Sequence, residues 1–297
     1  MTTVIILAGG EGKRMGLSQG PKVIRCVPMG ISAKGPSAKG PSASHDTSTG
    51  RLDTTVPSGT QVPMIVRILS EVERIHYKRI LIVVGKHKEL IDTVIQEYIA
   101  GAMLSKITYV LQPVPKGTGH AVMCCLPHLH MNDNVLILSG DVPYISAETM
   151  ELLMGVSKET VGPSDLKDLK GAFNKIRLMT MRLENPTGYG RVIEDANGNV
   201  RIVEQRDCSD RDLEEKRVNC GIYYTTGRLL MIRLPFLSCD NAQSEYYLTD
   251  IVNKDTDVEI CEIDESRKYE VTGVNTEMEL EELVKSVNTQ CDDDTPF

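Results

Sequence analysis

Continuous apolar runs alternate with segments of helical spacing through the first half of the chain. Glycine or polar residues flank the runs, which predicts strands buried on both faces, as in a parallel sheet. Alternating strands and helices indicate an α/β fold with a Rossmann-like, doubly wound, mixed but mostly parallel sheet. The predicted strands are residues 3–8, 79–85, 107–112 and 134–140, and the predicted helices are 63–76, 87–100, 117–126 and 146–156.

The second half of the chain is more mixed. Asn197-Gly198 stands between two alternating segments, which is a β-hairpin signal. Three apolar runs predict further strands, and two segments have helical spacing. The strands are expected at residues 176–183, 218–226 and 258–264, and the helices at 244–255 and 276–290.

Two segments fall outside this pattern. Residues 32–59 are rich in Ser, Gly, Pro and Thr and repeat the sequence AKGPS. Such composition has too few apolar residues to offset the entropy lost on ordering, so we expect a flexible insertion; a lid over a site is the alternative. Residues 291–297 read as an acidic tail. Residues 1–290 are expected to form one domain, in which the segment 32–59 is an insertion.

Composition narrows the functional classes. The 297 residues carry a formal net charge of −8, whereas nucleic-acid surfaces are usually basic, so no nucleic-acid partner is expected. No apolar run reaches the length of a membrane span, and we see no signal peptide. The eight cysteines form no CxxC pair, which favours reduced, mostly buried thiols. We therefore expect a cytoplasmic protein without a membrane partner.

The first predicted strand runs directly into the sequence LAGGEGKRM. Glycines allow backbone N–H groups to approach an anion, and the carboxyl end of a strand is where open α/β sheets bind ligands. Arg14 and Lys22 can then neutralise a polyphosphate. The segment matches neither the P-loop nor the dinucleotide fingerprint. The alternative is an ordinary strand–helix turn with solvated cations.

Two polar residues at strand ends add to this chemistry. Asp141 follows the run 134–140, where a carboxylate can bind Mg²⁺; the alternative is a helix cap or turn aspartate. Gln112 ends the strand 107–112, where its amide can both donate to and accept from the edge of a base; the alternative is a surface glutamine. His120 begins a predicted helix, and we expect a structural or phosphate-adjacent role for it. Tyr246 and Tyr247, in the predicted helix 244–255, are expected to be core residues rather than ligand contacts.

The ordered motifs make the chain resemble a known family. LAGGEGKRM followed by PKV is similar to the signature of sugar-nucleotide pyrophosphorylases. The order of the later motifs resembles the uridylyltransferase domain of bacterial N-acetylglucosamine-1-phosphate uridylyltransferases. Those motifs are VLQPVPKGTGHAV, LSGDVPYIS, NPTGYGRVI, IVEQRDCSD, VNCGIYY, NAQSEYYLTDIV and VTGVNTEMEL.

The resemblance implies a nucleotidyltransferase-type sheet with a hairpin-containing sugar-binding portion. It also implies that UTP and N-acetyl-α-glucosamine 1-phosphate are the substrates and Mg²⁺ the metal. By resemblance, Arg14 and Lys22 are catalytic, and Asp141 and Asn275 bind the metal. The implied substrate-binding residues are Leu7, Ala8, Gly9, Gly10, Gln112, Gly117, Thr118, Gly140, Gly190, Glu204 and Asn219. On local grounds, TGYGR is equally well a plain turn, and Glu204 and Asn219 could be exposed strand residues.

Three residues depart from the family pattern: Glu11, Ser139 and Cys220 stand where a lysine, an aromatic residue and a threonine are common. We find no hexapeptide repeat, so the β-helix acetyltransferase half of the bacterial enzymes is not expected. The sequence gives no basis for an oligomeric state. The alternatives are the same fold acting on another nucleotide or sugar 1-phosphate, a molybdenum-cofactor nucleotidyltransferase, and a non-catalytic nucleotide-binding protein.

Overall fold

Strands and helices alternate along the chain in a computed structural model that describes residues 1–10, 20–29, 60–156 and 175–293. Arg14, the segment 32–59 and residues 294–297 lie outside these ranges. The strands are β1 (Thr2–Leu7), β2 (Cys26–Pro28), β3 (Gln61–Pro63), β4 (Arg79–Val84), β5 (Ile107–Leu111), β6 (Asn134–Ser139), β7 (Lys175–Arg182), β8 (Arg191–Glu194), β9 (Val200–Val203), β10 (Arg217–Thr226) and β11 (Asp257–Glu262).

The helices are α1 (Met64–Val72), α2 (Lys88–Tyr98), α3 (Thr118–Met123), α4 (Ala147–Met154), α5 (Asp210–Leu213), α6 (Gly227–Arg233) and α7 (Glu277–Asp293). Short 3₁₀ segments lie at Lys22–Ile24, Leu104–Lys106, Leu126–His128, Leu234–Phe236, Leu248–Ile251 and Glu265–Val271. No helix in the described residues is long and apolar enough to span a membrane.

The main sheet has the strand order β11-β7-β10-β6-β1-β4-β5. β1 is parallel to both of its neighbours, and β10 is the antiparallel member between β6 and β7. The chain runs outward from β1 through β4 to β5 and then returns to β6 on the other side of β1. This reversal creates a crevice between β1 and β6 at the carboxyl ends of the strands, where open α/β sheets bind ligands. The predicted mixed, mostly parallel fold is confirmed.

The apolar cores lie on both faces of the sheet because successive strand side chains point to opposite faces. In β1, Val4 and Ile6 pack with α1, α2 and α4, whereas Ile5 packs with α3 and α6. A third cluster joins β2 to α7 through Val27 and Leu283. Continuous apolar runs are therefore needed in the central strands, as the sequence predicted.

The hairpin formed by β8 and β9 confirms the signal at Asn197-Gly198, and its inner strand β8 joins the sheet through β10. The prediction of a helix over 244–255 is wrong. Only Leu248–Ile251 forms a 3₁₀ turn, and Tyr246 and Tyr247 precede it rather than lying on a helix. The backbone of Tyr246 is bonded to Lys116 and Gly119 instead of to its own segment, so a helix cannot form there.

The described residues contain seven free cysteines, of which Cys125 and Cys220 are buried, so the expectation that the thiols are mostly buried is wrong. At the other end of the chain, α7 is longer than the predicted helix 276–290 and runs through Asp293. Several elements had no sequence signal that we used, among them α5, α6, the antiparallel pair β2 and β3, and the 3₁₀ segment Glu265–Val271.

Candidate active site

The ends of β1 and β6 meet in the crevice, where Gly140 lies beside Leu7. The Gly140 N–H donates to the Leu7 carbonyl over 3.0 Å. A Cβ on Gly140 would lie 2.6 Å from that carbonyl oxygen and 2.9 Å from Cγ1 of Val23. The absence of a side chain therefore lets the two strand ends and the turn after Pro21 pack directly against one another.

Lys22, Asp141 and Asn275 converge at this point. The Lys22 ammonium donates to Oδ2 of Asp141 over 2.7 Å and to Oδ1 of Asn275 over 3.2 Å. The three residues are far apart in sequence: Lys22 begins the 3₁₀ segment Lys22–Ile24, Asp141 follows β6, and Asn275 precedes α7. The structure thus brings together three residues that the resemblance had assigned to catalysis and metal binding.

Backbone and side-chain contacts fix this cluster. The Val274 N–H donates to the Asp141 carbonyl over 2.9 Å, which places Asn275 next to Asp141. The Ser139 hydroxyl donates to Oδ1 of Asp141 over 2.6 Å. Burial alone would raise the pKa of Asp141, but the charge of Lys22 and the hydrogen bonds from Lys22 and Ser139 outweigh it and hold the pKa below its ordinary value. Asp141 is consequently a carboxylate at neutral pH.

A second polar group lies at the ends of β4 and β5. Gln112 is buried, and its Nε2 donates to the Gly117 carbonyl over 3.0 Å and lies 3.1 Å from Nδ1 of His120. Its Oε1 faces the first strand, only 3.3 Å from the point that a Cβ on Gly9 would occupy. The Ala8 N–H donates to the Val83 carbonyl, which aligns this loop with β4.

The segment that begins α3 is held by the chain around Tyr246. Gly117 has φ of +101°, and a Cβ there would lie 2.6 Å from the Tyr246 carbonyl oxygen. The Gly119 N–H donates to that same carbonyl over 2.7 Å, and Thr118 accepts from Leu248 N–H at its hydroxyl over 3.1 Å. Glycine at 117 is thus required both by its backbone angle and by the close approach.

On the other side of the crevice, Gly190, Glu204 and Asn219 form a third group. The Asn219 N–H donates to the Gly190 carbonyl over 2.9 Å, and a Cβ on Gly190 would lie 3.4 Å from Oε2 of Glu204. Asn219 lies at a register shift in β10, and its amide donates to the Tyr223 hydroxyl over 2.7 Å. A Cβ on Gly221, two residues further, would lie 3.7 Å from Cβ of Ser139, so this group adjoins the Asp141 cluster.

Glu204 is half-buried among like charges. Burial raises its pKa above the ordinary value, and the nearby carboxylates of Asp250, Asp207 and Glu245 add to the shift. The Thr249 hydroxyl opposes it by donating to Oε1 over 3.1 Å. A partly desolvated carboxylate of this kind is suited to accept hydrogen bonds from hydroxyl or amide groups of a ligand.

Most of the residues selected from the sequence therefore lie along one crevice in three groups, around Gln112, Asp141 and Glu204. Gly10 is exposed at the end of the first loop. Arg14 lies outside the described residues, and so does Glu11, one of the three residues that depart from the family pattern.

Sequence reasoning missed the contact of His120 with Gln112 and that of Ser139 with Asp141. Spacing gave a partial signal for the second pair, because Ser139 and Asp141 flank a glycine that crosses the end of β1.

The chemistry of the Asp141 cluster suits a hard cation. Two side-chain oxygens, from Asp141 and Asn275, already converge on the positive charge of Lys22. Among the described residues, no three His, Cys, Asp or Glu side chains are arranged to hold a metal ion. A magnesium ion held by one or two protein oxygens, with its other ligands from water and substrate, matches such a donor set.

The described crevice brings the glycines after β1, a lysine and an oxygen cluster to the switch point of the sheet, where α/β proteins can bind phosphate groups. The chain belongs to the nucleotidyl transferase family, whose model matches residues 48–262.

Two curated relatives give more detail. The chain is 35% identical over 233 residues to a protein named probable UDP-N-acetylglucosamine pyrophosphorylase from Acanthamoeba polyphaga mimivirus, covering 76% of this chain and 85% of that protein. It is also 35% identical over 283 residues to the bifunctional protein GlmU of Azoarcus sp. strain BH72, covering 94% of this chain and 51% of that protein. The chain thus spans about half the length of its bifunctional relatives. The resemblance inferred from the motifs is confirmed.

Solved structures agree on the fold. The match to a putative glucose-1-phosphate thymidylyltransferase from Bacillus anthracis includes 100% of this chain and 97% of that protein, at a TM-score of 0.59 and 16% identity. The match to a UDP-glucose pyrophosphorylase includes 99% of this chain and 99% of that protein, at a TM-score of 0.60 and 14% identity. At these identities the likeness concerns the architecture alone.

Proposed function

We propose that the protein transfers a uridylyl group from UTP to N-acetyl-α-glucosamine 1-phosphate, giving UDP-N-acetylglucosamine and pyrophosphate. The observation that carries the proposal is the placement of the Gln112 amide and the cluster of Lys22, Asp141 and Asn275 along one crevice. The names of the two curated relatives support the choice of substrates.

In the proposed reaction, an oxygen of the sugar phosphate forms a bond to the α-phosphorus of UTP. The bond from that phosphorus to the oxygen bridging to the β-phosphorus breaks, and pyrophosphate leaves. The sugar phosphate is already an anion near neutral pH, so no general base is required. Catalysis then depends on positioning and on stabilisation of negative charge, as in phosphoryl transfer generally.

Lys22 is the described cation best placed for that charge. Its Nζ donates to the oxygen cluster, to Oδ2 of Asp141 and Oδ1 of Asn275. We propose that Lys22 stabilises the triphosphate and the leaving pyrophosphate. By the family resemblance, Arg14 supplies a second positive charge to the same phosphates.

Asp141 and Asn275 would hold Mg²⁺ through their side-chain oxygens. When bound, the metal supplies charge neutralisation between nucleotide and sugar phosphate. Ser139 keeps the Asp141 carboxylate oriented by its hydrogen bond to Oδ1, while Oδ2 accepts from Lys22.

At the two ends of the crevice, the chain would recognise the base and the sugar. Oε1 of Gln112 faces the glycine loop and can accept from the ring N–H of uracil. Glu204 and Asn219 lie on the hairpin side, where a carboxylate and an amide can bond to sugar hydroxyl and acetamido groups. Gly190 leaves room for a ligand to approach the backbone between them.

The proposal is tested by pyrophosphate release from UTP, CTP, GTP and dTTP, each with N-acetylglucosamine, N-acetylgalactosamine and glucose 1-phosphates. We expect the highest kcat/KM for UTP with N-acetylglucosamine 1-phosphate. A clear preference for another pair assigns a different substrate to the same site, and binding of UTP without any pyrophosphate release identifies a non-catalytic protein.

The metal is tested separately with Asp141→Asn. We expect this variant to fold but to lose activity at ordinary Mg²⁺ concentration, because a neutral amide binds a hard dication more weakly than a carboxylate does. Mg²⁺ titration followed by calorimetry in the presence of UTP should show weaker binding. Full activity of the variant at low Mg²⁺ would rule out Asp141 as a metal ligand.

A further inference from the structure

The orientation of the Gln112 amide is fixed by its neighbours. One terminal atom of the amide lies 3.0 Å from the Gly117 carbonyl oxygen. Because a carbonyl only accepts hydrogen bonds, the amide atom facing it must be the nitrogen, Nε2. Oε1 then points the other way, toward the Gly9 loop.

His120 contacts the same amide nitrogen. Its Nδ1 lies 3.1 Å from Nε2 of Gln112. Since Nε2 carries two hydrogens and Gly117 takes one, the second is available for His120, provided that Nδ1 bears no proton. Burial, together with the positive charge of Lys116, lowers the pKa of His120, which favours the neutral ring. The imidazole therefore acts as an acceptor here.

The two acceptors together oppose rotation of the amide. If the Gln112 amide turned by half a rotation, Oε1 would face both the Gly117 carbonyl and the Nδ1 lone pair, with no hydrogen between them. In the described part of the chain, Oε1 itself receives no hydrogen bond, so its lone pairs are left for a ligand. His120 is only half-buried, and its ring lies beside that of Tyr246 at a centroid distance of 6.3 Å.

We propose that His120 is a positioning residue for base selection: it holds the Gln112 amide so that Oε1 faces the base of the bound nucleotide. This inference rests on the proposed uridylyl transfer and deepens it. An acceptor at this position pairs with the ring N–H of uracil. Cytosine has a lone pair on the corresponding ring nitrogen, so it would meet Oε1 with repulsion unless the amide turned.

Loss of the His120 acceptor removes one of the two contacts that oppose the turn, so the amide can present Nε2 to cytosine at a lower cost. We therefore expect a lower ratio of kcat/KM for UTP to kcat/KM for CTP, by about tenfold, the effect of one neutral hydrogen bond. A role confined to packing would instead change both rates by the same factor and lower the melting temperature.

The test compares His120→Leu with His120→Asn. The two introduced side chains have nearly the same shape, but only asparagine offers an oxygen near the position of Nδ1. For both variants and the wild type we would measure kcat/KM with UTP and CTP, the Kd of each nucleotide without sugar phosphate, and the melting temperature. The inference predicts a reduced UTP:CTP ratio for the leucine variant and a ratio near that of the wild type for the asparagine variant.

Two results would overturn the inference. One is a leucine variant with an unchanged UTP:CTP ratio, whether or not both rates fall by the same factor. The other is an asparagine variant as unselective as the leucine variant. If the leucine variant does not fold, His120→Ala takes its place. A wild-type enzyme that does not prefer UTP contradicts the proposed function itself, and this is visible before any variant is made.

Discussion

Replacing Lys22 by alanine removes the positive charge at the centre of the candidate site. In the wild type, the ammonium makes a 2.7 Å ion pair with Asp141 and a 3.2 Å hydrogen bond with Asn275. The lysine side chain is 14% exposed and that of Asp141 24%, so solvent screens the pair only in part. The substitution therefore affects both the folded state without substrate and the reaction.

The stability effect follows from the loss of both hydrogen bonds of the ammonium, of which the shorter, charge-assisted one to Asp141 contributes roughly 1.5–3 kcal/mol. Its pH dependence follows from the depressed pKa of Asp141. Because the pKa of Asp141 is lower in the folded state, its ionisation stabilises the fold. This stabilisation is fully present above the pKa of the unfolded state, about 3.8, and is lost as the pH falls through the lower pKa of the folded state. The difference in unfolding free energy between wild type and Lys22→Ala should thus be largest near neutral pH and shrink in acid.

The catalytic effect should exceed the effect on stability. Loss of one preorganised charge-stabilising donor costs about 2–4 kcal/mol in transition-state stabilisation, which is roughly 30- to 900-fold in kcat/KM. The assay is initial-rate pyrophosphate release at saturating Mg²⁺, with urea unfolding at several pH values. Lys254→Ala, at an exposed lysine of a loop away from the crevice, is the matched control. Turnover near the wild-type rate in Lys22→Ala would refute the catalytic role, and a pH-independent stability difference would refute the ion-pair argument.

Two other substitutions test the outer parts of the crevice. Gly117→Ala forces a Cβ into a position with φ of +101° and 2.6 Å from the Tyr246 carbonyl oxygen. We expect the unfolding free energy to fall by ~1–3 kcal/mol and the KM for UTP to rise. An unchanged melting temperature and an unchanged KM would contradict this geometry. Glu204→Gln should raise KM for the sugar phosphate about tenfold or more, because one acceptor oxygen is lost. The pKa of Glu204 is raised in the folded state, so ionisation of this carboxyl destabilises the fold once the pH exceeds the pKa of an unfolded glutamate. Glu204→Gln should therefore melt at an equal or higher temperature than the wild type near pH 8. A lower melting temperature by calorimetry would contradict the sign of the pKa shift.

The central sheet could be predicted because its strands are buried on both faces and so appear as continuous apolar runs. Asp141 and Gln112 could be placed for the same reason: Asp141 directly follows such a run, Gln112 ends one, and parallel strands end at a common edge. The contact of Lys22 with Asn275 could not be derived from pattern alone, since it joins loops 253 positions apart.

The segment around Tyr246 shows why the helix prediction failed. Its spacing is helical, but its backbone polar groups bond to Lys116 and Gly119, and this tertiary contact outweighs local propensity. α6 went unpredicted because it begins at a glycine directly after a strand. A Cβ on Gly227 would lie 2.1 Å from the His130 carbonyl oxygen, so packing, rather than helix propensity, selects glycine there.

The most direct test of uridylyl transfer follows the oxygen atoms of the sugar phosphate. N-acetylglucosamine 1-phosphate labelled with ¹⁸O in its non-bridging phosphate oxygens would be incubated with UTP, Mg²⁺ and the wild-type protein, and the products examined by mass spectrometry. The account predicts UDP-N-acetylglucosamine that keeps all of the label and pyrophosphate that carries none. Label in the pyrophosphate, or UTP consumption that yields UMP without a sugar nucleotide, would contradict it.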